Sequence, residues 1–208
     1  MAPRSARKSR LEEARERMYR DLVFESAEHV FARNGFDDAT MQEIAAEAGI
    51  SLKTLYGNVP GKTELYAEIQ ETRGREFSDQ MTQAMAGGGD PLEVLARGVS
   101  AYVDFLVAHP DFLRIHLREG KAWGLQPSGS GREDWQHGVG GFASILRQGM
   151  DAGIFYEGDP EIMAMTGIAV LQVQLARFAE GSGEEDAKAL NEEIFLQLQR
   201  LLCKPKRR

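Results

Sequence analysis

Three places in this chain carry side chains that could do chemistry. His109 and His116 stand seven apart with Asp111 between them, but Pro110 breaks the helix that would align them and no Glu-x-x-His pair accompanies either. A surface or capping histidine is the simpler reading. Ser128 and Ser130 lie in a glycine-rich stretch without a recognisable base, and Gly138-Val139-Gly140-Gly141 follows no strand and precedes no Lys-Ser/Thr pair. Nucleophilic catalysis and a phosphate loop therefore have no support, and neither catalytic residues, a metal nor a cofactor are expected. The third place, residues 40–62, is different. Thr40 and Ser51 stand where helices start, so their hydroxyls cap free N–H groups at ends where the helix dipole favours a phosphate. Tyr56 and Lys62 offer a phenol and an ammonium to phosphates further along. Lys53 suits guanine O6/N7, Asn58 suits adenine N6/N7, and Leu52 suits a thymine methyl.

The elements that must position these groups read as helices. Met18, Leu22, Val23, Ala27, Val30 and Phe31 step by threes and fours, and Asn34-Gly35 supplies a left-handed stop. Thr40-Met41-Gln42-Glu43 is a capping box that opens a helix to about Ala48. Gly49 takes the turn, Ile50 plugs the core, and Ser51 caps a short helix through Asn58. Met41, Ile44, Ala45, Ile50 and Leu55 are core. Val59-Pro60-Gly61 breaks the chain, and helices over about 62–84, 91–108, 112–117, 134–152, 160–179 and 184–202 follow, separated by Gly- and Pro-rich breakers. No window of sustained apolar/polar alternation occurs, so the fold class is all-α with about nine helices.

Helix, glycine turn and short helix in that order are the parts that place an N-terminal turn in a major groove about 12 Å wide. Over about residues 15–70 the chain resembles the DNA-binding domain of the TetR family of bacterial transcriptional regulators. The likeness rests on Leu22-Val23, Ala27, Val30-Phe31 and Gly35-Phe36, then on the run Thr40-Met41-Gln42-Glu43-Ile44-Ala45-Ala46-Glu47-Ala48-Gly49-Ile50-Ser51, then on Thr54-Leu55-Tyr56, Lys62 and Leu65. The resemblance implies DNA contact from Thr40, Ser51, Leu52, Lys53, Thr54, Tyr56, Gly57, Asn58 and Lys62. The chain departs from the family after Tyr56: Gly57-Asn58-Val59-Pro60-Gly61-Lys62-Thr63 replaces an aromatic or His, then Phe, then Ser-Lys-Glu. This bears on base preference and not on the fold.

The net charge of −7 over 208 residues hides an uneven distribution. Residues 1–20 carry a surplus of four positive charges, and residues 40–62 are neutral. Arg4, Arg7, Lys8 and Arg10 are accordingly expected to form a basic flexible arm, residues 1–14, that supplies electrostatic attraction and enters the adjacent minor groove. Residues 15–61 form the helix-turn-helix domain and residues 62–208 a helical ligand-sensing and dimerisation domain. With 42% apolar residues, no run approaching roughly 18 uninterrupted apolar positions and no signal-peptide pattern, a cytoplasmic protein without membrane contact is expected.

The resemblance also implies what the larger part does. Its last two helices would pair with their copies in a homodimer, with Ile168, Leu171, Leu175, Phe178, Ile194, Leu198 and Leu201 shared between interface and core. A small-molecule effector would bind among Tyr102, Phe105, Phe112, His116, Trp123, Phe142, Met163, Met165 and Gln172, and shift the population away from the DNA-binding arrangement. The expected function is a ligand-responsive repressor that binds a palindromic operator in double-stranded DNA as a dimer. The alternatives are a helical-bundle adaptor or enzyme that does not bind DNA; Gly57, Val59 and the neutral reading segment would then be signs of decay.

Overall fold

The computed structural model describes residues 4–118, 131–181 and 186–205, with side chains from residue 16 in the first helix and from residue 136 in the seventh. Among them run nine helices: α1 (Arg4–Asn34), α2 (Met41–Glu47), α3 (Leu52–Tyr56), α4 (Lys62–Met85), α5 (Pro91–Ala108), α6 (Pro110–Arg118), α7 (Gly131–Asp151), α8 (Pro160–Glu180) and α9 (Ala187–Leu202). The breakers sit where the residue types demand. Gly35, at φ 81°, closes α1, and Asp90 and Asp159 cap α5 and α8, which both open on proline. Apart from a single antiparallel bridge between Phe155 and Cys203, no extended pairing occurs among the described residues.

One element differs from the sequence expectation. The basic segment is not a flexible arm, because α1 begins at Arg4. Between Arg4 and Asn34 there is neither glycine nor proline, and Arg, Lys, Glu, Ala and Leu predominate at the start. Glu13 and Glu16 stand four positions before Arg17 and Arg20, the spacing that supports a helix.

The chain divides into two units, Met1–Arg75 and Glu76–Arg208. The division falls inside α4 and not at residue 61. The reason is that the first half of α4 is built into the N-terminal core: Leu65 and Ile69 are buried with Val23, Ala27, Val30, Phe31, Ile44 and Leu55. Tyr66 packs edge-on against Phe31 at 5.0 Å and lies 4.8 Å from Phe36. Arg73 then makes a two-pronged bond with Glu28 of α1, at 2.9 and 2.7 Å.

The C-terminal unit has its own apolar core. Leu95, Val99, Val103 and Leu106 of α5 meet Ala143 and Leu146 of α7, Leu171 and Leu175 of α8, and Leu190, Ile194 and Leu198 of α9. By length and composition α8 is apolar enough to be compared with a membrane span. It is spent on this core instead, burying Ala164, Gly167, Leu171, Gln172, Gln174 and Leu175 along one side.

Candidate nucleic-acid interface

The interface is set by two caps and one turn. Thr40 closes α2 reciprocally with Glu43. The Glu43 N–H donates to Thr40 Oγ1 at 3.2 Å, while the Thr40 N–H and hydroxyl donate to Glu43 Oε2 at 3.0 and 2.8 Å. Asn34 Nδ2 reaches the other carboxylate oxygen at 3.0 Å. Gly49 takes φ 63°, a conformation that a side chain would strain, and the Ile50 N–H returns to Ala45 O at 3.0 Å. Ser51 Oγ then accepts the Thr54 N–H at 3.1 Å and lies 2.8 Å from Thr54 Oγ1. Only Leu55 of α3 is fully buried, which turns the rest of this five-residue helix outward. Ser51, Lys53, Thr54, Tyr56, Gly57 and Asn58 are exposed and Leu52 is half-buried. The hydroxyls, the ammonium and the phenol are thus gathered on one outward turn and its flank.

The capping box carries a pH signature. The Thr40 hydroxyl, and next its backbone N–H, hold the Glu43 carboxyl below its ordinary value. A carboxyl lowered on folding contributes stability that is complete above its unfolded value and is lost as pH falls through the folded one. Removing the Thr40 side chain should therefore destabilise the protein at neutral pH by the usual worth of an N-cap, about 1 kcal/mol, and the difference should shrink on acidification. Thermal melts of wild type and Thr40→Ala across the acid range check it; a pH-independent gap would refute it.

Two site residues are placed differently from expectation. Lys62 does not project toward solvent. Its Nζ donates to the carbonyls of Phe36, Asp37 and Ala39 at 2.7, 3.0 and 3.0 Å, and lies 4.6 Å from the centre of the Phe36 ring. An ammonium has three donors, and all three are spent inside the domain. Asn58 lies just past the end of α3, where its Nδ2 donates to Thr54 O at 2.7 Å and so finishes the helix. Val59 is buried, and its N–H donates to the Leu55 carbonyl at 3.0 Å. The side chains of Arg4, Arg7, Lys8 and Arg10 lie outside the described residues. Sequence reasoning missed the ties between α1 and α4: Glu28 with Arg73, and Arg20 with Glu68 at 2.9 Å from Nε. Partners 45 and 48 positions apart leave no local pattern.

In the C-terminal unit, part of the expected effector set comes together. Tyr102 and Phe105 both meet Phe77, at 5.4 and 5.3 Å, Phe105 meets Phe112 at 6.2 Å, and Phe112 meets His116 at 6.4 Å. Burial pushes the Tyr102 phenol up to about 12, which its hydrogen bond with Gln172 partly offsets. Phe142, Met163 and Met165 are half-buried against the same core, with the Phe142 ring over Gly167. Trp123 lies outside the described residues. Leu171, Leu175, Ile194 and Leu198 are core, whereas Leu201 is exposed with Ile162, Val173 and Leu196 on the last two helices.

Comparison with known proteins agrees with this arrangement. Residues 23–69 match the family model described as Bacterial regulatory proteins, tetR family. The HTH-type transcriptional repressor SCO4008 of Streptomyces coelicolor is 26% identical over 186 residues, covering 86% of this chain and 93% of that protein. The fold is shared with the ketosteroid transcriptional regulator KstR2 of Mycobacterium tuberculosis, at TM-score 0.77 and 21% identity over 88% of this chain and 94% of that one. It is also shared with a TetR-like transcriptional regulator from Rhodococcus sp. RHA1, at TM-score 0.73 and 23% identity over the same shares.

Proposed function

We propose that this chain, whose residues 23–69 match the tetR family model, is a transcriptional regulator of that family that represses by binding a palindromic operator as a dimer and releases it when an effector binds. The observation that carries this reading is the outward turn of α3, where Ser51, Lys53, Thr54 and Tyr56 are exposed while a single leucine holds the helix to the core. Thr40 and Ser51 place helix N-termini against phosphates, and Tyr56 adds a further backbone contact. Lys53 reads a base edge and Leu52 a thymine methyl. Arg4, Arg7, Lys8 and Arg10 meet phosphates.

The dimer reading is supported by the large aliphatic side chains of Ile162, Val173, Leu196 and Leu201 exposed on α8 and α9. A two-fold pair would set two readers about 34–36 Å apart on the duplex. The aromatic cluster around Phe105, with Tyr102 and Gln172 as its polar pair, favours an effector that is mostly apolar with one hydrogen-bonding group.

Retention of random duplexes on the purified protein at about 150 mM salt, followed by sequencing, tests the reading. An enriched palindrome supports it, and its half-site spacing fixes the dimer geometry. No enrichment from folded protein, with and without a cell extract as effector source, would favour the adaptor.

Gly57 offers a finer test of how closely DNA approaches. Its φ of −74° is ordinary for any residue, and an added Cβ would meet only the Thr54 and Lys53 carbonyls of its own helix, at 3.3 and 3.5 Å. Gly57→Ala should thus change stability by no more than about 0.5 kcal/mol. A loss of affinity for the selected duplex at unchanged melting temperature is expected where the phosphate backbone comes close, and unchanged affinity would exclude that approach.

A further inference from the structure

Lys62 stands at the first position of α4, where a helix dipole and a free ammonium would together invite a phosphate. The structure uses it otherwise. The segment that accepts its three N–H groups, Phe36 to Ala39, ends immediately before Thr40, the residue whose cap starts α2. Three carbonyl oxygens pointing at one spot repel unless a compact cation with tetrahedrally arranged donors sits among them. Lys62 supplies that cation, and the Phe36 ring beside it supplies an electron-rich face. Tyr66, one turn further along α4, packs on the same Phe36 ring. The start of α4 therefore grips the connector that aims the N-terminus of α2.

We propose that Lys62 is a positioning residue for DNA recognition: by clamping the carbonyls of Phe36, Asp37 and Ala39 it fixes the start of α2, and with it Thr40, at the height where a phosphate is met. It contributes no phosphate contact of its own. The proposal rests on the DNA-binding reading for its consequence, but its geometry is testable without DNA. An arginine in its place keeps the charge and remains a good phosphate ligand, yet its planar fork does not fit three convergent carbonyls. A methionine keeps the stem and removes the charge.

The first measurement is a nitrogen-edited proton spectrum of the lysine ammonium groups in the full-length wild-type protein. A Lys62 ammonium bonded to three carbonyls gives a slowly exchanging signal in the free protein, with through-bond coupling to those carbonyls, and keeps it when a duplex from the selection is added. A Lys62 signal that exchanges as fast as those of solvent-exposed lysines, or that moves from the carbonyls to phosphorus on adding duplex, overturns the proposal. The second measurement compares Lys62→Met and Lys62→Arg. Both should melt at least about 4 °C lower and bind the selected duplex about tenfold more weakly, with the slope of log K against log salt unchanged. Full rescue by arginine, or a slope reduced by about 0.9 in the methionine variant at unchanged melting temperature, would identify a direct phosphate contact instead. Loss of duplex binding by every variant and by wild type would refute the DNA reading alone, because the free-protein spectrum stands by itself.

Discussion

Replacing Glu28 with alanine should cost the N-terminal unit about 3–5 kcal/mol, the largest effect of any single substitution argued from this structure. The Glu28 side chain is 7% exposed and that of Arg73 is 14% exposed, and the two share a bidentate pair at 2.9 and 2.7 Å. The guanidinium also lies 5.2 Å from the centre of the Phe24 ring, which covers one of its faces. At this depth the low local dielectric strengthens the pair, so removing one carboxylate forfeits most of what offsets the lost solvation of the guanidinium. Replacing both residues with methionine should recover most of the stability, since two apolar chains of similar volume need no solvation. Amide hydrogen exchange in α1 and the first half of α4, on the full chain, reads the unit concerned. Exchange in Glu28→Ala indistinguishable from wild type would show that the pair is solvated in solution. DNA affinity should fall in parallel with protection, because α1 and α4 hold α2 and α3 in place and Glu28 itself offers nothing to an anionic partner.

This pair also shows where sequence reading stops. Thr40-Met41-Gln42-Glu43 announced its own geometry, because a capping box joins residues three apart and both partners are visible in one window. Gly49 and Ser51 were legible for the same reason: a positive φ and an N-cap are local needs met by residue type. Apart from the start of α1, which no glycine or proline marks, helix ends fell within a few residues of expectation. Lys62 was not legible. As the first residue of a helix it has the same type and position whether it meets a phosphate or three carbonyls, and only the fold, which brings residues 36–39 within reach across more than twenty positions, decides. The boundary at Arg75 was hidden likewise, because the composition of α4 does not change where its neighbours do. On α8 and α9 the apolar positions share one helical spacing, and only packing separates the buried Leu171, Leu175, Ile194 and Leu198 from the exposed Val173 and Leu201.

The second large effect is electrostatic. Residues 40–62 carry Lys53 and Lys62 against Glu43 and Glu47, and Lys62 is engaged by carbonyls, so Lys53 is the outward cation of that segment. Affinity for a polyanion must then come largely from elsewhere in the N-terminal unit, and Arg4, Arg7, Lys8 and Arg10 at the start of α1 are the densest positive group there. Each phosphate they neutralise adds about 0.9 to the slope of log K against log salt, so four contacts add about 3.6. Over a fourfold rise in salt, wild type should lose roughly a hundredfold more affinity than a variant lacking them. Because these residues belong to a helix, the sharper comparison is not deletion of residues 1–14 but conversion of all four to glutamine, which removes charge and leaves helix-forming residues in place. Titration of the selected duplex at several salt concentrations reads the slope directly. Equal slopes in wild type and the fourfold variant would remove the basic segment from the interface and leave the caps and Lys53 to carry recognition alone, with a correspondingly weak salt dependence. A reduced slope at unchanged melting temperature would place α1 on the DNA backbone and explain how a chain of net charge −7 binds a polyanion.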